Sequence, residues 1–152
     1  MKESVNQQPE LKKRQLTPKQ KKLSNISLGE TGETLACQYL LQKKFQILGK
    51  NIRIKNNEVD IIAFDSKYTE LVFIEVKTRS NTVFGNPDTW VDFQKLHSMQ
   101  KVAHAYLKNL KQKKAKYCNL DYRFDIMSIF YLKGDLKKIN PQIEHFESVT
   151  WP

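Results

Sequence analysis

Cysteine in any useful spacing, long apolar runs and acidic charge are what this chain of 152 residues has little of, and each scarcity excludes something. Only Cys37 and Cys118 are present, far apart and outside any Cys-x-x-Cys or Cys/His pattern. That argues against a zinc finger and a disulfide scaffold, and for two reduced thiols. No stretch approaches the roughly 20 apolar residues of a spanning helix, and the polar start Met1-Lys2-Glu3-Ser4 leads into no apolar run of signal-peptide length. A soluble, cytoplasmic protein with no membrane partner is the expectation. There is no internal repeat, and no nucleophile elbow of the kind a Ser/His/Asp hydrolase needs. The length suits one domain that buries a core unaided.

Acidic residues number 16 against 26 Lys and Arg, a formal charge of +10. Such a balance favours polyanionic partners, DNA, RNA or an anionic surface, although a solubilising surface has the same composition. Residues 1–25 contain Lys2, Lys12, Lys13, Arg14, Lys19, Lys21 and Lys22 against only Glu3 and Glu10. This arm is expected to be a disordered tail, either adding phosphate contacts or merely solubilising the chain. Residues 26–152 form the single domain.

Ser27 and Glu30 have capping-box spacing, and Leu28, Leu35, Ala36, Tyr39 and Leu40 recur at helical period up to about Lys44. Gly29 and Gly32 in the first turns imply close approach of another backbone, and Glu33 borders the apolar face, able to point toward a sheet. Phe45 to Ile54 reads as a strand with a bend near Gly49 and Asn51, and Asn56-Asn57 as a tight turn. Strands follow over Glu58 to Phe64 and Glu70 to Thr78. The second is apolar on both faces, hence central, with Glu75 and Lys77 on one side by period-two alternation. A loop with Gly85 and Pro87 leads to a helix starting near Asp92, with Leu96, Met99, Ala103, Tyr106, Leu107 and Leu110 as its stripe. Lys95 lies one turn before Met99, either snorkelling or reaching a site beneath the helix start. Lys108, Lys111, Lys113, Lys114 and Lys116 end the helix as a phosphate-binding face or a solvated end. Tyr122 to Tyr131 is a fourth strand with Asp125, Gly134-Asp135 a turn, and Ile143 to Val149 a last edge strand. The order helix-strand-strand-strand-helix-strand makes an α/β domain, a mixed β-sheet flanked by helices.

Between Glu58 and Lys77 charge stands where a structural strand would have Val or Ile. Burying an ionised group costs several kcal/mol unless it is paired or holds a metal. Mg²⁺ takes oxygen ligands, including one or two carboxylates. Asp60 and Glu75 on neighbouring strands supply two, the Val76 carbonyl a third oxygen, and Glu33 would complete the set from the first helix, directly or through water. Lys77 beside them would position or deprotonate a water and screen charge on a phosphate. Structural alternatives stand beside this: Asp60 capping a bulge or pairing with Lys77, and Glu75 in an ion pair with Lys77 or Arg79. Glu58 falls on the face of Asp60 but at the strand entrance, facing solvent. His97 and His104 are surface or packing residues, and His145 has no motif around it.

Asp60 followed fifteen residues later by Glu75-Val76-Lys77 resembles the Asp…(Asp/Glu)-x-Lys core of the restriction-endonuclease-like nuclease superfamily, whose archaeal Holliday-junction resolvases also have a glutamate on the preceding helix. More closely, the chain resembles the bacterial YraN-type family of endonuclease-like proteins. The matching pieces are Gly29-x-x-Gly32-Glu33-x-x-Ala36-x-x-Tyr39-Leu40, Glu58-Val59-Asp60-Ile61-Ile62-Ala63, Val72-Phe73-Ile74-Glu75-Val76-Lys77-x-Arg79, Phe84-Gly85-x-Pro87, Lys95 with Ala103 and Tyr106-Leu107, and Arg123-Phe124-Asp125. Asn57 replaces the family's usual Gly, and is expected to preserve a left-handed turn. Trp90 replaces a small residue, as a stacking platform or, preferably, as core.

The resemblance implies a restriction-endonuclease-like core with Glu33, Asp60, Glu75 and Lys77 as catalytic residues. It implies Mg²⁺ or Mn²⁺ held by Asp60, Glu75, Val76 and Glu33. Lys95, Arg79, Lys108, Lys111, Lys113 and Lys114 would contact nucleic acid. The expected activity is metal-dependent hydrolysis of phosphodiester bonds in DNA, structured or branched DNA included, by a chain able to act as a homodimer. The alternative is a non-catalytic nucleic-acid-binding module of the same fold.

Overall fold

The computed structural model describes residues 32–79, 92–130 and 141–149. The basic arm, Ser27, Gly29, Glu30, the Gly85 and Pro87 loop, Trp90 and the Gly134-Asp135 turn lie outside the described residues. Helix α1 covers residues 32–42. Strands β1 (Phe45–Ile54), β2 (Asn57–Asp65) and β3 (Glu70–Arg79) follow, then helix α2 (Phe93–Gln112), β4 (Tyr122–Phe130) and β5 (Gln142–Phe146). The expected α/β order is the observed one, with β5 present and ending at Phe146.

The five strands lie side by side in chain order, β1-β2-β3-β4-β5. Short links make β1/β2 and β2/β3 antiparallel, and β4/β5 is antiparallel too, whereas β3/β4 is parallel. A parallel pair needs a long crossover, and α2 supplies it. β3 is therefore central, and Leu71, Val72, Phe73 and Ile74 have no exposed surface. α1 lays Ala36 and Leu40 over Ile61, Ala63, Val72, Ile74, Met127 and Ile129. α2 lays Met99, Val102 and Ala103 over Val59, Ile62, Leu71 and Phe73 on the opposite face.

Two expectations shift. A Cβ on Gly32 would stand 2.1 Å from Thr78 Oγ1, so the close neighbour of α1 is a β3 side chain, not a backbone. The β1–β2 turn falls one residue early: Ile54 pairs with Asn57, the left-handed residue is Lys55 at φ 55°, and Asn57 belongs to β2. Core alternation overrides turn propensity here, because a one-residue slip would turn Val59 and Ile52 away from α2.

Candidate functional site

Asp60 occupies a place where the sheet changes its pattern. Val59 packs toward α2 whereas Ile61, two residues on, packs toward α1. Period-two alternation would put both on one face, so the chain turns over across Asp60. β1 turns with it, since the regular register passes from Lys50↔Ile61 to Ile52↔Val59 and the residue between, Asn51, has φ 51°. The simple alternation that set Glu58 and Asp60 on one face therefore fails. Irregularities of this kind re-aim a side chain, and here the aim is along the sheet. The β2–β3 pairing ends at Ile61↔Ile74, and the Asp60 carboxylate takes over by accepting the Val76 N–H at 2.7 Å. Backbone N–H and C=O of one strand residue point the same way, so the Val76 carbonyl also faces the β2 side, beyond the end of that pairing.

Glu75 is one residue before Val76 on β3, on the α2 face. Its side chain is only 12 % exposed and is met by the Lys95 ammonium, 2.9 Å from Oε2. At that distance the ammonium brings both a counter-charge and an N–H donor to an otherwise buried carboxylate oxygen. Burial pushes the Glu75 pKa up to about 8, the neighbouring Asp60 carboxylate pushes the same way, and Lys95 opposes both. Burial works against the Lys95 charge too, but Glu75, Asp60 and Glu58 outweigh it and hold its pKa above the ordinary value.

Lys95 thus reaches the site beneath the helix start. Asp92 caps α2, accepting from the Gln94 and Lys95 N–H groups, and this fixes the first turn over the ends of β2 and β3. A cation in a first turn opposes the helix dipole; the carboxylates below hold it there. Glu58, set aside as solvent-facing, is half exposed but joins the set, with Oε1 3.6 Å from Lys95 and Oε2 3.1 Å from Arg53. Its signal in the sequence was only its spacing two before Asp60.

Lys77 follows Glu75 by two residues in unbroken pairing with β4, opposite Ser128, and so keeps the Glu75 face; Arg79 ends the strand opposite Phe130. Glu33 does point toward the sheet, but its partner is Asn51, whose Nδ2 donates to Oε2 at 3.0 Å. Among the described residues no three His, Cys, Asp or Glu side chains stand together closely enough to hold a metal alone. Glu33 is therefore not gathered with Asp60 and Glu75, and any direct set is the two carboxylates with the Val76 carbonyl. Asn51, noted in the sequence only as part of a bend, connects Glu33 to the position opposite Asp60. Lys108 and Lys111 belong to the far end of α2, with Lys113 its C-cap and Lys114 in the turn just past it, beginning about 20 Å from Lys95 at 1.5 Å per residue.

His145 had no motif around it, yet it belongs to a second charged cluster. Its Nε2 lies 2.8 Å from Oδ2 of fully buried Asp125, which also accepts the Ser148 N–H at 2.9 Å. Arg123 Nε donates to Asp125 Oδ1 at 3.0 Å, and its Nη1 pairs with Asp65 at 3.0 Å and with Glu70. These contacts tie β2, β3, β4 and β5 together on the α1 face, from Asp65 and Glu70 to Asp125 opposite Ile74, whereas Glu75 projects from the α2 face. Burial disfavours the guanidinium charge, but the three carboxylates hold its pKa above the usual arginine value.

Residues 32–129 match the model of uncharacterised protein family UPF0102. A UPF0102 protein of Chlorobium limicola is 40 % identical over 126 residues, covering 82 % of this chain and 92 % of its own. One of Caldanaerobacter subterraneus is 37 % identical over 130 residues, with 83 % and 99 % covered. Another, from Geobacter metallireducens, is 40 % identical over 123 residues, with 81 % and 91 % covered.

Proposed function

The chain belongs to the UPF0102 family, and from the site it contains we propose a metal-dependent, nuclease-like protein with a restriction-endonuclease-like core that hydrolyses phosphodiester bonds in DNA. One observation supports this above the rest: Glu75 is largely buried and lies beside the Asp60 carboxylate, both of which raise its pKa, and a cation, the Lys95 ammonium, is what meets its Oε2. Two neighbouring carboxylates, one of them largely out of water, call for a cation that Lys95 only partly replaces. Asp60, Glu75 and the Val76 carbonyl would hold Mg²⁺ or Mn²⁺, hard ions that accept such oxygens and retain waters. When bound, the ion supplies Lewis acidity at the phosphoryl oxygen.

The chain's own groups do the rest. Asp60, tied to the Val76 N–H, is held in one orientation. Lys77, on the Glu75 face, orients a water toward phosphorus, and Lys95 and Arg79 take phosphate charge. Water adds its oxygen to phosphorus and releases a proton to solvent as the P–O bond to the leaving deoxyribose oxygen breaks, and that oxygen takes a proton from solvent and leaves as an alcohol. Incubation with linear, single-stranded, flapped and four-way-junction DNA plus Mg²⁺ or Mn²⁺ tests the proposal. Cutting that is lost in Asp60→Ala, Glu75→Ala and Lys77→Ala supports it; cutting that persists in all three rejects the site. Calorimetric titration with Mn²⁺ gives a second readout, with binding expected in the parent and lost in the two carboxylate variants.

Lys95 favours a second reading, because an ammonium at 2.9 Å already offsets Glu75 without metal. A non-catalytic nucleic-acid-binding module of the same fold would bind DNA in a salt-sensitive way, ignore chelator and survive Asp60→Ala.

A further inference from the structure

A groove of about 440 Å³ lies beside the C-terminal half of α2 and the start of β4, lined by His104, Leu107, Lys108, Lys111, Gln112 and Tyr122. Its floor is aromatic and apolar. Tyr122 is 36 % exposed, yet its ring is braced: Phe73 and Phe124 meet it edge-on with centroids 5.9 Å and 5.7 Å away. Its hydroxyl lies 3.2 Å from His104 Nε2, and the two rings stand at 88°. The rim is cationic. Lys108 and Lys111 are exposed, and residues 101–122 contain six lysines against one acidic residue, Asp121.

An exposed tyrosine alone needs no explanation. A braced ring in a concave space beneath ammonium groups has the composition of a single-strand site, where the ring stacks a base and the cations take the flanking phosphates. Duplex binding would use the lysines and leave the ring idle, since paired bases are stacked on one another. We infer that this groove binds an unpaired nucleobase with its flanking phosphates, and so takes a single-stranded segment of DNA. It deepens the proposed function and rests on its nucleic-acid part. With the groove about 20 Å from Lys95 along α2, the matching substrate is duplex with a flap or gap about six base steps, at 3.4 Å each, from the bond to be cut.

The test is fluorescence anisotropy of the full chain with a labelled ten-nucleotide oligo-dT in EDTA, beside an abasic deoxyribose-phosphate oligomer of equal length. The parent is expected to bind oligo-dT several-fold more tightly than the abasic chain. Tyr122→Phe keeps that preference, whereas Tyr122→Ala weakens oligo-dT binding about tenfold, within the range measured for losing one base–aromatic stack. Lys108→Gln with Lys111→Gln lowers the slope of log affinity against log salt by about 1.4, two phosphates at ~0.7 each. Tyr122→Leu, which refills the contacts to Phe73 and Phe124 without a π face, stands in if the alanine variant does not fold.

Equal affinity for the abasic chain, retained affinity in Tyr122→Leu, or no oligo-dT binding at low salt would each overturn the inference. Chelator separates this from the nuclease proposal. Ring-dependent binding in a protein that never cuts removes only the nuclease proposal. Cutting by a protein indifferent to bases removes only the groove.

Discussion

Glu75 is the residue on which a metal-free pH dependence is expected to turn. Its folded pKa, raised by burial and by Asp60 to about 8, lies above the ordinary 4.5, so between those values the native state holds a proton that the unfolded chain has released. Stability from this group is full below about pH 4.5 and is lost as pH rises through about 8, by linkage. Thermal melts of the apo protein should thus lose on the order of a few kcal/mol of stability from this group across that window. Glu75→Gln should flatten the difference. Divalent ion, which favours the ionised form, should raise the melting temperature above pH 7 in the parent and little in the variant. That Glu75 and Lys77 share a face was legible from alternation in β3, because that strand is regular. That Glu58 contacts Lys95 was not, because a half-exposed glutamate looks the same in sequence whether or not a helix crosses above it.

At the scale of elements, the site depends on how α1 and α2 are seated. Asp92→Ala removes the cap on α2 and should lower stability by about 1 kcal/mol, measured by urea denaturation. It should also loosen Lys95 over Glu75, visible as tighter Mn²⁺ binding per active molecule once the competing ammonium is mobile. Gly32 seats α1 against Thr78. Gly32→Ala should destabilise by about 1–2 kcal/mol through overpacking, and Thr78→Ala in the same chain should recover part of it, a coupling that a double-mutant cycle reads directly. Glycine in a first turn showed in the sequence that something comes close; only the fold identifies it as a threonine side chain. The turnover at Asn51 and Asp60 was half legible. Gly49 and Asn51 marked a bend in β1, but β2 itself has no glycine to betray it.

For the whole molecule, the two charged clusters occupy opposite faces of the sheet. Arg123 satisfies Asp65, Glu70 and Asp125 where four strands meet, and removing it leaves buried carboxylates uncompensated. Arg123→Ala should cost about 3–5 kcal/mol in equilibrium unfolding, and, if any folded fraction remains, its site should bind Mn²⁺ like the parent. The basic excess belongs to the same scale: long-range attraction to a polyanion adds over the surface and falls with salt whichever lysines supply it. Among the described residues no helix is long and apolar enough to cross a membrane.

The chain by itself determined the element order, the centrality of β3 and the standing of Asp60, Glu75 and Lys77 as charges set among apolar strand residues, because period, turn chemistry and misplaced charge are local properties written along one dimension. Only the tertiary structure decided which charges meet. Lys95 comes to Glu75 from α2 and Glu58 joins them, Glu33 goes to Asn51, and Asp125 gathers Arg123 and His145 across the sheet. Side-chain contacts between elements depend on register and on where one strand turns over, and a single residue of difference in either sends a carboxylate to another face.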